Sequence, residues 1–170
     1  MLKTDAIPAG TITRWEWYSA MGTGSTQRAV LSNFSVKLCH TSLNALTTPF
    51  AANYDGRTPV TVFSANPVTI NVPVNTWFGW ACGPTFNYNG SDNLLVETWW
   101  DGGNDGGPNC WMKYVLGSAR ACIASRVRGV AQNGYPNGGA AEGYNMYMRI
   151  TMGGAAVAAS SLGRVKVLFR

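Results

Sequence analysis

The chain has 170 residues, a length typical of one domain with room for a substantial core. Only 12% of the residues are charged, about half of the roughly 25% found in ordinary soluble domains, whereas 46% are hydrophobic. Together with 7 Trp, 7 Tyr and 6 Phe, this composition excludes a disordered chain and a coiled coil. The net charge of +5 comes from 13 scattered lysines and arginines, a distribution unlike the clustered cations of a nucleic-acid-binding domain.

Short alternating apolar runs, separated by Gly, Pro, Asn and Asp, predict an all-β sandwich or barrel without long amphipathic helices. The segment Ile12–Ser19 shows the pattern well, because Trp15 and Trp17 alternate with Arg14 and Glu16. Similar alternation predicts further strands at residues 34–39, 60–64, 68–72, 77–82 and 144–151.

The segment Leu94–Trp100 is apolar on nearly every position and predicts a central strand. After it, residues 111–115 and 121–127 are expected to form a hairpin with its turn at residues 116–118. Residues 129–143 have the composition of a long loop. No apolar stretch approaches the roughly 20 residues of a membrane-spanning helix.

A boundary at Gly153 and Gly154 divides the chain into a β-sandwich domain, residues 1–153, and a tail, residues 154–170. The tail begins with the small-residue linker Ala155–Ala159 and ends in an amphipathic segment whose apolar positions alternate with Arg and Lys. These apolar positions are the candidate subunit-interface residues Leu162, Val165, Val167 and Phe169.

Such a strand needs a groove in which to bury its apolar face. It either folds back on its own sandwich or adds to the sheet edge of a neighbouring copy, and the segment 1–9 is a second candidate donor. A helix is a further alternative, because Leu162, Val165 and Phe169 are also spaced three and four residues apart.

Four cysteines without a C-x-x-C pair, in a chain with one histidine, argue against zinc. Their even number favours disulfides and an oxidising compartment, and we expect the pairs Cys110–Cys122 and Cys39–Cys82. Three pairings are compatible with four cysteines, and four buried thiols are the structural alternative.

Exposed aromatic rings beside polar groups are typical of carbohydrate sites. The best candidates are Trp99, Trp100 and Trp111, with Trp77 and Trp80 as a second choice. Burial of these rings in a sandwich core or between subunits is the alternative.

Weak calcium candidates are Asp101 and Asp105, with Asp92 and Glu97 nearby in sequence, although their spacing does not match an EF-hand loop. A turn between strands is the simpler interpretation, and for Asp92 it is the preferred one. A carboxylate pair for glycan hydrolysis would have to be Glu97 and Asp101, and His40 has no nucleophile elbow beside it. The sequence therefore predicts neither an enzyme nor a required cofactor.

Three segments carry a resemblance: I-P-A-G-T-I-T at Ile7–Thr13, N-F-S-V-K-L-C-H-T-S at Asn33–Ser42 and P-T-F-N-Y-N-G-S-D-N-L-L-V-E at Pro84–Glu97. Over about residues 7–151 the chain resembles a jelly-roll β-sandwich module of secreted and surface proteins of bacteria. The ending S-L-G-R-V-K-V-L-F-R is similar to short tails of exported bacterial surface proteins. The resemblance implies an extracellular, noncatalytic, jelly-roll-like antiparallel sandwich and leaves the ligand open.

These observations predict an extracellular structural protein that polymerises with copies of itself into a pilus-like surface filament by β-strand addition. The alternative is a carbohydrate-binding or adhesion module of a secreted protein. Asn33 and Asn89 begin N-x-S sequons, which matter only in a host that glycosylates them.

Overall fold

In a computed structural model of the chain, the described part of the protein consists mainly of β-strands. The structure describes residues 7–19, 26–44, 46–47, 50–100, 102–104, 114–116, 122–124, 140–142, 144–153, 155–156 and 165–169. Its strands are β1 Gly10–Tyr18, β2 Thr26–Ser32, β3 Phe34–Thr41, β4 Val60–Ala65, β5 Val68–Pro73, β6 Trp77–Tyr88, β7 Asn93–Trp99, β8 Gly102–Asn104, β9 Tyr114–Leu116, β10 Cys122–Ala124, β11 Ala140–Glu142, β12 Tyr144–Met146, β13 Met148–Met152, β14 Ala155–Ala156 and β15 Val165–Phe169. A short 3-10 helix, Phe50–Tyr54, lies between β3 and β4.

Two larger sheets carry most of the fold. A four-stranded antiparallel sheet has the order β14-β13-β1-β6, and a six-stranded sheet has the order β11-β10-β15-β7-β3-β4. All pairs in the six-stranded sheet are antiparallel except those of β15, which runs parallel to both β7 and β10. Two smaller sheets have the orders β12-β9 and β5-β2-β8.

The main core lies between the inner faces of the two larger sheets. Trp80 of β6 packs against Phe34 and Phe63 of the opposite sheet, with ring centroids 5.2 and 4.9 Å apart. Trp15 and Val96 are among the least exposed side chains, at 1% and 0%. This packing of alternating inward residues from two sheets is the arrangement of a β-sandwich, so the all-β sandwich-like class expected from the sequence is confirmed.

A smaller apolar cluster covers the other face of the six-stranded sheet. Cys39 and Leu95 project to this side because their neighbours along β3 and β7 face the main core, and they pack with Leu46 and Tyr54. The covering loop is held by Asn53, which accepts a hydrogen bond from the Thr47 amide at 2.8 Å and donates to the Thr47 carbonyl at 3.0 Å.

Several local predictions about strand pairing were wrong. The segments expected to form a hairpin lie in two different sheets: β9 pairs with β12, while β10 pairs with β11 and β15. Leu116, expected in the turn, belongs to β9. The predicted loop 129–143 contains β11, and the predicted linker contains β14, which pairs with β13.

The predicted Cys39–Cys82 disulfide does not form, because both residues are free thiols. Cys39 faces the outer cluster of the six-stranded sheet, whereas Cys82 lies in β6 of the other sheet and packs against the main core. Burial raises the pKa of the Cys82 thiol to about 11 and also raises that of Cys39, so neither is activated as a thiolate. The second predicted pair falls outside the described side chains, because Cys110 is not described and Cys122 is described only as part of β10.

Candidate functional site

The last strand, β15, occupies an interior position in the six-stranded sheet. Its residues pair with β7 in one continuous parallel register, in which Val165 is opposite Leu94, Val167 opposite Val96 and Phe169 opposite Thr98. On its other side, Val167 and Leu168 pair with β10. The predicted interface residues Val165, Val167 and Phe169 are therefore each paired with a residue of β7. Leu162 lies outside the described residues.

The strand β7, with which β15 pairs, is buried along five consecutive residues. Leu94, Leu95 and Val96 are each 0% exposed, and β7 is flanked on its other side by β3 over seven paired residues. If the neighbouring strand were missing, backbone N–H and C=O groups of β7 would lose their hydrogen-bond partners in an apolar environment, which is energetically costly. The position between β7 and β10 is occupied by β15 of the same chain.

The predicted carbohydrate residues do not share one environment. Trp99 is half-buried at the end of β7, and Trp100 packs partly against the main core, while Trp111 lies outside the described residues. The second pair is divided by the strand alternation: Trp80 faces the core, whereas Trp77 lies beside Arg149 on the outer side of the sheet. A sugar site at Trp99, Trp100 and Trp111 remains a prediction.

The structure describes only some of the carboxylates considered for calcium binding or hydrolysis. Asp101 and Asp105 lie outside the described residues. Glu97 is 1% exposed and is engaged by Lys37, whose Nζ lies 3.2 Å from Oε1, and by the Tyr54 hydroxyl. Among the residues that the structure describes, no group of three or more His, Cys, Asp or Glu side chains is arranged to hold a metal ion. None of the described residues belongs to a helix of the length and apolarity that crossing a bilayer requires.

The N-G-S-D-N segment forms the turn expected of it, but the side chain that bonds the backbone is Asn89. Its Oδ1 accepts hydrogen bonds from the amides of Ser91 and Asp92, each at 3.0 Å. Asp92 instead accepts side-chain hydrogen bonds from Asn89 at 2.7 Å and from Arg57, and the Arg57 bond holds the pKa of Asp92 below its usual value. Gly90 has φ of 73° and a Cβ there would lie 2.7 Å from the Ala9 nitrogen, so a glycine is required.

His40 closes the same end of the sandwich. Its ring stacks near Phe86 and Tyr88, with centroids 4.8 and 5.6 Å away, and its Nε2 accepts the Asn89 amide proton at 3.1 Å. Because Nε2 is an acceptor, the ring is neutral, and burial lowers its pKa from the usual 6.5. The only histidine of the chain is therefore a structural link between the two sheets at this end.

A pH titration of stability tests this role. Since the folded pKa lies below the unfolded one, the unfolded state binds more protons, so we expect stability to hold above about pH 7 and to fall as the pH drops below 6.5. Denaturant midpoints between pH 7.5 and 5.5 measure the fall. In His40→Gln the decline over this range should disappear, because no other side chain of ordinary pKa titrates there. An unchanged decline in that variant would contradict the assignment.

A cluster that the sequence reasoning missed lies on the outer face of the four-stranded sheet. Glu16, with its side chain 8% exposed, binds two arginines: Arg149 Nε at 2.6 Å and Arg14 Nε at 3.3 Å. These bonds, led by that from Arg149, lower the pKa of Glu16, so the carboxylate is ionised. The Arg149 guanidinium lies 4.8 Å from the ring centroid of Trp77, whose ring meets Tyr18 edge to face at 5.1 Å.

The alternation in β1 contained a partial signal for this cluster, since Arg14 and Glu16 share its charged face. Only the pairing of β1 with β13 and β6 brings Arg149 and Trp77 to that face, from far along the chain.

The strand order and the core define the class of this protein as an all-β sandwich-like domain, in which β15 lies between β7 and β10. No protein-family model, curated protein or solved structure matches the chain.

Proposed function

We propose that this chain is a noncatalytic extracellular structural protein whose copies assemble into a pilus-like surface filament by exchanging strand β15. The observation that carries the proposal is the placement of β15 between β7 and β10, hydrogen-bonded in parallel to both. Strand addition to a sheet gives affinity through backbone hydrogen bonds and specificity through alternating side-chain positions.

The parallel arrangement favours exchange between copies. Antiparallel neighbours can be joined by a tight hairpin, whereas parallel neighbours require a long connection. Within one chain, β7 and β15 are separated by residues 100–164, so no short turn ties β15 to the strand it pairs with. The groove of one copy therefore accepts the same strand from a second copy in the same register. A contact of this heterologous kind, repeated without closing, generates a fibre.

A noncatalytic role is supported by the engagement of the carboxylates whose side chains the structure describes. Glu16 and Glu97 are paired with cations, Asp92 binds Arg57, and Asp55 accepts hydrogen bonds from Ser42. The extracellular location rests on the resemblance of the Pro84–Glu97 block to bacterial surface modules. Since Cys39 and Cys82 are thiols, they give no support to an oxidising compartment.

The experiment compares the full chain with a variant lacking residues 163–170. Both are denatured and refolded over a range of concentrations, because a strand already inserted in its own sheet exchanges slowly. We expect the full chain to form filaments in negative-stain images at high concentration, while the shortened chain does not. The shortened chain should bind a labelled G-R-V-K-V-L-F-R peptide in a 1:1 ratio. It should not bind a scrambled peptide of the same composition. A full chain that stays monomeric at every concentration, or filaments unaffected by the deletion, would overturn the proposal.

A further inference from the structure

The outer face of the four-stranded sheet carries two arginines that are held in place and yet keep unused donors. Arg149 binds Glu16 through Nε, and Arg14 binds Glu16 through Nε and the Gly79 carbonyl through Nη2 at 3.1 Å. Within the part of the chain that the structure describes, neither Nη1 nor Nη2 of Arg149 nor Nη1 of Arg14 has a hydrogen-bond partner. The two side chains are 37% and 41% exposed, so both are partly accessible to solvent.

The local charge and shape select the ligand. Two guanidinium groups share one ionised carboxylate, which leaves one net positive charge on this face. A guanidinium fork matches a carboxylate through two parallel hydrogen bonds, and an arginine held by other contacts loses little conformational entropy on binding. Beside the fork stand the rings of Trp77 and Tyr18, which are half-buried and in edge-to-face contact, so part of their apolar surface adjoins the charge.

The middle of this face lies over a glycine of β6. Gly79 stands opposite Glu16 in the β1–β6 pairing and carries no side chain. The backbone of β1 approaches it so closely that a Cβ would lie 2.0 Å from the Trp15 carbonyl oxygen, which excludes any larger residue. On this face, β6 therefore presents no side chain between Trp77 and Ala81.

We propose that this face, formed by Arg14, Glu16, Tyr18, Trp77 and Arg149, binds acidic polysaccharide, with a uronic acid carboxylate on the free edge of Arg149. A uronic acid has two groups that suit this face. Its carboxylate matches the guanidinium fork, and its sugar ring has an apolar side for the aromatic side chains. A nucleic acid fits less well, because its binding surfaces line a basic groove with rings on which successive bases stack. Here the described side chains Arg14, Glu16 and Arg149 carry one net positive charge between them.

The test measures binding of the full chain to polygalacturonate by calorimetry, with the fully methyl-esterified polymer as the neutral analogue of the same backbone. We expect binding to the acidic polymer that is at least about tenfold tighter than binding to the ester, since a charge-assisted bond is lost. Arg149→Gln should weaken binding about tenfold or more. Arg149→Lys, which keeps the charge and the Glu16 contact but loses the fork, should also bind more weakly, and it guards against a folding defect in the first variant.

The matched control is Arg28→Gln, which removes the same charge from the exposed β2 of another sheet and should leave binding within about twofold. Equal affinity for the ester, equal losses from Arg28→Gln and Arg149→Gln, or full displacement by single-stranded DNA at equal charge would each overturn the proposal. These measurements do not involve β15, so their outcome is independent of filament formation.

Discussion

Replacing Val167 with proline is expected to lower the free energy of unfolding by about 3 kcal/mol, because it removes a backbone donor in mid-strand and introduces a ring into the ladder. Val167 pairs with Val96 on one side and with Cys122 on the other, so its N–H belongs to an interior ladder whichever side it faces. For a chain of this size the loss corresponds to a melting temperature about 6–12 °C lower. Thermal and denaturant unfolding of the refolded chain measure it.

The control is Val165→Pro. Val165 is the first residue of β15, a position at which proline is tolerated in strands, so this variant should lose much less stability. The comparison separates insertion in the sheet from a general effect of proline on the segment. If both variants unfold like the unmodified chain, β15 does not contribute to the sheet in solution. If only Val167→Pro is destabilised, it should also be the variant that forms no filaments after refolding.

The second large effect is expected from Lys37→Met, which should cost about 3 kcal/mol because the deeply buried Glu97 carboxylate loses the ammonium group that binds it. Glu97 is 1% exposed, and the Lys37 side chain, at 29%, shields it from one side. The value is at the lower end of the range for broken buried pairs because Lys37 keeps contact with solvent. Chemical denaturation monitored by tryptophan fluorescence measures the change.

Two further variants identify its cause. Lys37→Met combined with Glu97→Gln removes the buried charge as well as its partner, and it should recover much of the lost stability. Arg28→Met removes a cation from an exposed strand position and should change stability by less than about 0.5 kcal/mol. A loss in Lys37→Met no larger than in Arg28→Met would mean that the pair contributes nothing. The pair explains why the one charged residue of the central strand is compatible with deep burial.

Alternation along the sequence predicted the strands with the strongest contrast between faces. The inward residues of β1 and β3 are large and apolar, and the continuous apolar run of β7 matches a strand buried on both faces. Alternation failed for β2, because T-Q-R-A-V-L-S has little contrast and its position follows from pairing with β5 and β8. It also failed for the hairpin expected after residue 111, where long-range pairing with β12 and β15 prevails over a local Gly-Ser turn signal.

Whether a candidate site could be predicted likewise depended on whether its contacts are local in the sequence. The turn at Asn89 was predictable, because its hydrogen bonds span only two and three residues. The amphipathic character of β15 was also predictable, but its partners were not. The cluster at Arg149 and Glu16 joins residues 133 positions apart, and no local pattern marks such a pair. The incorrect Cys39–Cys82 disulfide has the same origin, since an even number of cysteines does not reveal which sheet face each one occupies.

The amino-acid sequence was sufficient to predict the all-β class, the strands with strong face contrast and the amphipathic nature of the last segment. These features depend on the period of two, which is a property of consecutive residues. The three-dimensional structure was needed to show that β15 lies in parallel between β7 and β10 and that two arginines bind Glu16. It was also needed to show that Cys39 and Cys82 are free thiols on different sheets. Strand pairing depends on long-range packing and backbone hydrogen bonding across the whole chain. Periodicity indicates which residues of a strand share a face, but it does not indicate which strand is its neighbour.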